Sequence, residues 1–167
     1  HVSSGEFEYA KPLIASLKAK KPELKIIVSY FSPSVQKSLA DDPWIDGYFA
    51  LPFDHPYFLA PLFRFLKPQA LLLARTDIWP ELLIQARKHD VKTLLFSATL
   101  SSETSKFQNP IKHSFAKWRY GLLDHIACVE RADLEAFARM GLGEKTTVVG
   151  DTRYDQVLRR LSHPKPI

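Results

Sequence analysis

The sequence has neither the cysteines of a disulfide-rich protein nor the long apolar runs of a membrane-spanning one. It contains one cysteine in 167 residues, which excludes an internal disulfide. No run approaches the roughly 20 apolar residues that a transmembrane helix needs, and we expect no signal peptide. We therefore expect a reducing, cytoplasmic setting.

Motifs that would point directly to one chemistry are also missing. Neither GxGxxG nor GxxxxGK[ST] occurs, so a glycine-rich phosphate cradle is not supported. The six histidines lack the spacing of metal ligands, and we expect neither a metal site nor a cofactor. Cys128 lies in the apolar run HIACVE, which favours an inert buried thiol over a nucleophile or a ligand.

The composition is that of a globular protein with a basic surface. Hydrophobic residues make up 46% and charged residues 25%, so neither disorder nor a fibrous architecture is favoured. The net charge of +5 admits nucleic acid, anionic membranes or phosphorylated ligands as partners. Because the basic residues lie on amphipathic helices and no nucleic-acid-binding motif appears, we expect no nucleic-acid partner.

Short apolar runs alternate with helical patterns along the chain. This alternation predicts an α/β fold, a Rossmann-like parallel sheet with helices on both faces. The predicted strands are 24–30, 45–50, 69–74, 92–97, 125–129 and 146–149. The predicted helices are 7–20, 33–40, 56–66, 79–89, 110–122, 131–140 and 153–161.

The two ends of the sequence indicate a domain cut from a larger protein. His1-Val2-Ser3 has the character of the tail of a strand, so the first strand is expected to be truncated. We assign residues 1–155 to one Rossmann-like domain. Residues 156–167 are expected to form the final helix and the start of an inter-domain linker.

The first loop between a predicted strand and helix contains Ser3, Ser4, Gly5 and Glu6. In parallel sheets, ligands bind beyond the carboxyl ends of strands, so such loops are where chemistry is expected. Gly5 would let a substrate approach the backbone, and a carboxylate at Glu6 could take a proton from a sugar hydroxyl. The Ser3-x-x-Glu6 spacing also matches a capping box, in which Glu6 bonds to the amide of the cap residue.

Two further loops carry polar residues beyond predicted strands. Arg75, Asp77 and Trp79 follow the strand QALLLA and form either a sugar or phosphate subsite or an ordinary helix start with Asp77 as N-cap. The hydroxyl-rich loop that begins at Ser97 and includes Ser101 follows KTLLFS. It is either a turn or a phosphate contact.

The segment 56–66 carries more aromatic surface than one helix face needs. It either packs in the core or presents a lipid-facing patch. Lysines at 11, 18, 20, 21 and 25 could add attraction to anionic lipid, although a solvated charged face explains them equally well.

Several segments together resemble one family in their order and spacing: HVSSGEFEYAKPLI, YFSPS, ALPFDHP, TDIWPELL, the SATLS loop and VGDTRYD. Over nearly its whole length the chain resembles the N-terminal domain of the 3-deoxy-D-manno-octulosonic acid (Kdo) transferases, which have the GT-B glycosyltransferase fold. The resemblance implies an inverting enzyme of lipopolysaccharide biosynthesis. Such an enzyme moves Kdo from CMP-Kdo to a lipid A precursor at the cytoplasmic face of the inner membrane.

The resemblance also implies roles for individual residues. Glu6 matches the glutamate of the family motif Ser-x-Gly-Glu, the general base that deprotonates the acceptor hydroxyl. Acceptor binding is implied for a group of loop residues: Ser4, Gly5, Arg75, Asp77, Trp79, Ser97 and Ser101. Arg153 and Asp155 match a family pattern near the C-terminal end and are candidates for donor or interface contact.

The sequence departs from the family pattern in two of these loops. Asp77 stands where the family usually has glutamate, which keeps the charge but shortens the reach by one methylene. Thr99 stands where the family has arginine, and this removes a cation that Arg75 could replace.

The sequence thus predicts the acceptor-binding half of a Kdo transferase that needs no metal. Its expected partners are a lipid A precursor, the cytoplasmic membrane surface and, through a missing C-terminal domain, CMP-Kdo. The protein would be peripheral or anchored by a missing N-terminal segment, and this fragment alone would be inactive. The alternatives are a non-catalytic module that binds an anionic glycolipid, and a half-domain of another GT-B transferase or of a sugar-nucleotide epimerase.

Overall fold

The computed structural model describes residues 1–3, 5–100 and 109–154. All strand pairs in these ranges are parallel and helices flank them, which confirms the predicted α/β, Rossmann-like fold class. Three predicted site residues, Ser4, Ser101 and Asp155, lie outside the described residues, as do the predicted segment 156–167 and most of the helix predicted at 153–161. The chain divides into two compact units at residues 51/52 and 150/151.

The first unit contains residues 1–51 and the segment that begins at Asp151. Val2 forms an isolated parallel bridge with Tyr30, and the truncation of a first strand at His1-Val2-Ser3 stays a prediction. The elements that follow are α1 (Phe7–Lys20), β1 (Ile27–Tyr30), α2 (Gln36–Ala40) and β2 (Gly47–Ala50), with β1 paired to β2.

Three predicted elements in this unit differ from the structure, and one of them, the strand predicted at 45–50, begins only at Gly47. The strand predicted at 24–30 begins only at Ile27, because Leu24 is still in a turn and donates its amide hydrogen to the Lys21 carbonyl. The helix predicted at 33–40 is divided into a 3-10 turn, Pro33–Val35, and α2. The proline sits at the first position of the turn, where its missing N–H costs nothing.

The second unit spans residues 52–150 and contains a four-stranded sheet in the order β3-β4-β5-β6. The side chains of Leu73, Leu95 and Ile126 from three strands are fully buried, together with Leu83 and Phe137 from the helices. Its elements are α3 (Pro56–Leu66), β3 (Ala70–Ala74), α4 (Pro80–Lys88), β4 (Lys92–Ala98), α5 (Pro110–Gly121), β5 (His125–Cys128), α6 (Arg131–Arg139) and β6 (Thr146–Val148).

An aspartate directly before a strand fixes the start of the neighbouring strand in each unit. Asp46 precedes β2, and its Oδ2 accepts the amide hydrogen of Ile26 at 2.8 Å. Asp124 precedes β5, and its Oδ2 accepts from the Thr93 amide at 2.8 Å and from the Thr93 hydroxyl at 3.0 Å. Each carboxylate accepts an amide hydrogen at the start of a strand, where the parallel sheet supplies no acceptor. These bonds thereby set the register of each strand pair.

Both carboxyl groups are shifted toward their ionised forms. Hydrogen bonding from Lys18, from the Ile26 amide and from Lys25 holds the pKa of Asp46 far below its usual range. Partial burial raises the pKa of Asp124, but the Thr93 hydrogen bonds and the nearby charge of Lys92 outweigh that effect, and the net pKa is lowered.

The N-terminus of α4 is capped by a residue from a distant loop. Trp79 occupies the N-cap position and makes no capping bond with its side chain. Asp54 instead accepts the amide hydrogens of Glu81 at 3.0 Å and of Leu82 at 2.9 Å. The interpretation of Asp77 as the N-cap is therefore wrong, because Asp77 lies before the cap position and Asp54 provides the acceptors.

Replacing Asp54 by alanine should destabilise the protein by about 1 kcal/mol, because two amides at the start of α4 lose their acceptor. Hydrogen exchange at Glu81 and Leu82 should also become faster. The matched control is Asp77→Asn, which should leave both amides protected. Equal loss of protection in the two variants would contradict the assignment of Asp54 as the cap.

Asp124→Asn should cost about 1 kcal/mol at neutral pH, since an exposed carboxylate is replaced by a weaker acceptor. Because folding lowers the pKa of Asp124, this stabilisation exists above the unfolded-state pKa of about 4 and is lost as the pH falls through the folded-state pKa. Urea unfolding from pH 7 to pH 3 measures it. A wild-type advantage that persists unchanged at pH 3 would refute the linkage; Asp90→Asn is the neutral control.

Candidate functional site

Glu6 lies at the junction between the Val2 strand tail and α1. The Phe7 amide donates to the Ser3 carbonyl at 3.1 Å, which begins the helical turn. The Ser3 amide donates to Oε2 of Glu6 at 2.8 Å. This bond is the glutamate half of a capping box, and the capping interpretation of Glu6 is confirmed to that extent.

The surroundings of Glu6 leave room for a ligand. Its side chain is only partly buried, and Gly5 beside it is exposed. A Cβ atom added at Gly5 would meet no atom within 4 Å. The carboxylate is thus held in one orientation at an accessible loop. This geometry is compatible with a base, a role that stays a prediction.

Arg75 lies at the carboxyl end of β3, where the chain adopts a left-handed conformation with φ 58°. Its amide donates to the Phe96 carbonyl of β4 at 2.9 Å, which extends the sheet by one bond. Two residues on, Oδ1 of Asp77 accepts the indole hydrogen of Trp79 at 2.9 Å. Arg75, Asp77 and Trp79 are all partly buried, and the Asp77–Trp79 bond joins two of the three.

Ser97 lies at the corresponding end of β4 and is fully buried. It also has a left-handed backbone, with φ 49°, at an irregularity in the pairing of β4 with β5. The next turn is fixed by α6, because Oδ1 of the buried Asp133 accepts the Leu100 amide at 2.7 Å. Ser97 and Arg75 therefore stand beyond one bonded strand pair, Ala74 and Phe96.

Left-handed non-glycine residues are costly, and their positions in this unit fall into two groups. Lys67 directly follows α3 and Asp90 lies two residues beyond the end of α4, where helices commonly end in this conformation. Arg75 directly follows β3, and Ser97 is the last residue but one of the neighbouring β4. Backbone strain and bulges at such places are typical of functional sites, which supports the predicted location of this loop pair.

Arg153 belongs to the first unit and is held by two contacts. Its guanidinium binds Asp151, with Nη2 to Oδ2 at 2.9 Å, and lies 4.6 Å from the ring centre of Tyr9. The bond to Asp151 raises the pKa of Arg153 further. The Thr152 hydroxyl donates to the Tyr9 carbonyl at 2.9 Å.

The predicted site residues therefore fall into two groups. Gly5, Glu6 and Arg153 belong to the first unit, whereas the remaining ones that the structure describes belong to the second: Arg75, Asp77, Trp79 and Ser97. Sequence reasoning missed Tyr9, Asp54 and Asp133. The Glu130-x-x-Asp133 spacing at the start of a helix was a signal for the last of these.

The predicted inert thiol agrees with the structure. Cys128 is fully buried, and burial together with the nearby Asp133 charge raises its pKa. Among the described residues, no three His, Cys, Asp or Glu side chains come together in a way that could hold a metal ion.

Two helices of the second unit expose aromatic side chains. In and before α3, Leu59 and Phe63 are buried, whereas Phe53, Tyr57 and Phe65 are 80%, 76% and 84% exposed. The segment 56–66 thus contributes both to the core and to an exposed patch. On α5 the exposed apolar side chains follow helical spacing: Ile111, Phe115 and Trp118.

The cations on α3 and α5 differ in their surroundings from two of the lysines in and after α1. Neither α3 nor α5 contains an acidic residue, and Arg64, Lys112 and Lys117 on them are exposed. Lys18 and Lys25, in contrast, are paired with Asp46 at 2.7 and 3.2 Å. Within the described ranges, no helix combines the length and the apolar character needed to cross a bilayer.

Two solved structures resemble this chain in fold. A UDP-GlcNAc 2-epimerase from Neisseria meningitidis, bound to UDP-GlcNAc, gives a TM-score of 0.69 at 14% identity, over 96% of this chain and 48% of that one. A further UDP-N-acetylglucosamine 2-epimerase gives 0.66 at 16% identity, over 93% and 48%. Identities this low show the fold alone, one Rossmann-like half of a GT-B protein.

Curated relatives are 3-deoxy-D-manno-octulosonic acid transferases. The one from Haemophilus influenzae is 26% identical over 159 residues, which cover 92% of this chain and 36% of the relative. The one from Aquifex aeolicus is 32% identical over 83 residues, covering 49% and 23%. The one from Chlamydia muridarum is 25% identical over 149 residues, covering 85% and 33%. This chain therefore spans about a third of their length or less.

The family profile described as "3-Deoxy-D-manno-octulosonic-acid transferase (kdotransferase)" matches residues 1–156. This match covers the strand tail, Glu6, both loops of the second unit and the Tyr9 contacts. The chain therefore belongs to the Kdo transferase family, as the N-terminal domain.

Proposed function

We propose that this chain is the acceptor-binding domain of an inverting transferase that moves Kdo from CMP-Kdo to a lipid A precursor. The observation that carries the proposal is the placement of Glu6. Its carboxylate is oriented by the Ser3 amide at a partly exposed strand-to-helix loop, within the segment that matches the family. Loops of this kind are where open parallel sheets bind their ligands.

Glu6 would act as the general base. It would accept the proton of the acceptor hydroxyl while the hydroxyl oxygen attacks the anomeric carbon of Kdo and CMP leaves from the opposite face. A base must first be within hydrogen-bond reach and correctly oriented. The bond from Ser3 to Oε2 of Glu6 serves that second requirement.

The loops of the second unit would bind the acceptor. Arg75 supplies a cation suited to a phosphate group, and the Asp77–Trp79 pair supplies a polar edge and a flat apolar face suited to a sugar. Ser97 lies at the end of the neighbouring strand. Ser4 and Ser101 remain part of the proposed site as predictions from the sequence.

The donor would be bound mainly by a second domain outside this chain. We therefore propose that residues 1–167 alone do not catalyse transfer. Arg153 and Asp155 remain the candidates for the donor or domain interface, and the chemistry as proposed needs neither a metal ion nor a cofactor. An epimerase half-domain is the main alternative, since the fold likeness is to epimerases, but the sequence match favours the transferase.

The exposed aromatic surfaces would rest on an anionic membrane at the cytoplasmic face. Aromatic side chains partition into the interface between headgroups and acyl chains, and exposed cations add attraction to anionic lipid. The helices α3 and α5 combine exposed aromatics with exposed cations and contain no acid, which makes them complementary to such a surface. The enzyme would bind its lipid acceptor at this membrane-facing surface.

Glu6→Gln in the full-length enzyme should lower the rate of transfer by about 100- to 10,000-fold, because a positioned base contributes that much. Glutamine keeps an oxygen for the Ser3 amide, so the melting temperature should change little. The measurement is Kdo transfer from CMP-Kdo to lipid A precursor, with UDP-N-acetylglucosamine as a second substrate to test for epimerisation.

Glu8→Gln on the same helix is the matched control and should keep nearly full activity; residues 1–167 alone give the inactive reference. If Glu6→Ala lowered the free energy of unfolding by about 1 kcal/mol, the amount expected of a lost cap, while Glu6→Gln transferred Kdo normally, Glu6 would be a structural residue only.

Tyr57→Ser with Phe65→Ser should weaken binding to vesicles of anionic phospholipid by roughly tenfold, because two exposed aromatic side chains no longer enter the interface. Co-sedimentation with vesicles of defined composition measures this. Val149→Ser, at another exposed apolar position, is the control. Unchanged binding of the double variant would remove α3 from the proposed membrane surface.

A further inference from the structure

The segment that begins at Asp151 fastens onto the first turns of α1. We name Asp151, Thr152 and Arg153 the Tyr9 clasp, because Thr152 and Arg153 contact Tyr9 and Asp151 binds Arg153. The Thr152 hydroxyl donates to the Tyr9 carbonyl at 2.9 Å. The Arg153 guanidinium covers the Tyr9 ring at 4.6 Å.

Asp151 holds the arginine in this place. Its side chain is only 9% exposed, and its two oxygens accept from the backbone amide of Arg153 at 2.8 Å and from Nη2 at 2.9 Å. Asp151 therefore binds both the backbone and the guanidinium of Arg153 and fixes the guanidinium over the Tyr9 ring. A pre-oriented cation over a buried aromatic face is worth more than a mobile surface lysine would be.

Tyr9 is the residue through which the clasp reaches Glu6. The Tyr9 amide donates to the Glu6 carbonyl at 3.1 Å, and the Ala10 amide donates to the same oxygen at 3.2 Å. Tyr9 is also almost fully buried, at 4% exposure. A displacement of Tyr9 would therefore move the turn that carries Glu6.

Proline makes this turn depend on such contacts. Pro12 lies inside α1 and has no amide hydrogen to donate to the Glu8 carbonyl. The turn of residues 6–9 is consequently less firmly joined to the rest of the helix than an uninterrupted helix would make it. The clasp binds the chain just before this interruption.

We propose that the Tyr9 clasp is a positioning device for Glu6, and that Thr152 and Arg153 are positioning residues for the transfer reaction. The proposal rests on the proposed function of Glu6 as base. It also gives the segment that begins at Asp151 a role in catalysis, because Thr152 and Arg153 would hold the turn that carries the base.

Thr152→Val with Arg153→Gln in the full-length enzyme tests the clasp. We expect kcat to fall about tenfold with both KM values within twofold, because a small misplacement of a base slows the chemical step. Amide exchange at residues 7–10 should become about tenfold faster. Arg153→Lys alone should retain an intermediate kcat, since it keeps the charge but loses the guanidinium bonds to Asp151.

The same two substitutions in a Glu6→Gln background should cause no further loss of the residual rate. Thr147→Val with Arg131→Gln makes the same two types of substitution at a hydroxyl contact and a surface ion pair elsewhere, and should leave kcat unchanged. Equal losses with and without Glu6, or unchanged exchange at residues 7–10, would overturn the clasp. Normal activity of Glu6→Gln by itself would instead overturn the base, and with it the catalytic part of the clasp.

Discussion

Backbone amides at the ends of parallel strands need acceptors that the sheet itself does not provide, and in this protein carboxylates provide them. Asp46 and Asp124 do so where strands begin, at equivalent places in the two units. Glu6, Asp54 and Asp133 do so where strands lead into helices or loops. An unsatisfied buried amide is expensive, so these few side chains decide where each element starts and which loop conformations are possible.

This constraint also shapes the candidate site. Because Asp54 caps α4, Asp77 is not needed as a cap, and its carboxylate is engaged with the Trp79 indole. Because Asp133 holds Leu100, the chain beyond Ser97 is tied to α6 directly after the left-handed residue. A strained backbone at Arg75 and Ser97 can persist only where neighbouring hydrogen bonds hold it in place. The bonds of Asp54 and Asp133 contribute to that.

The order of strands and helices was predictable from the sequence because hydrophobic periodicity reflects burial, which is a local property of each element. The capping bond of Glu6 was predictable too, since its partner is three residues away. The cap of α4 was not, because Asp54 is 27 residues from the amide it binds. The pairing of Lys18 and Lys25 with Asp46 was not predictable for the same reason, since Asp46 is distant in sequence.

The fold alone does not separate a transferase from an epimerase, since both kinds of enzyme can be built on Rossmann-like halves. The difference must therefore lie in side chains that the strand-to-helix loops present. In this chain the loop before α1 presents a carboxylate that accepts the Ser3 amide hydrogen, and the C-terminal segment contacts the same helix at Tyr9. A carboxylate that served only as a cap would need the first of these contacts and not the second. The proposal that Glu6 is a base accounts for both contacts.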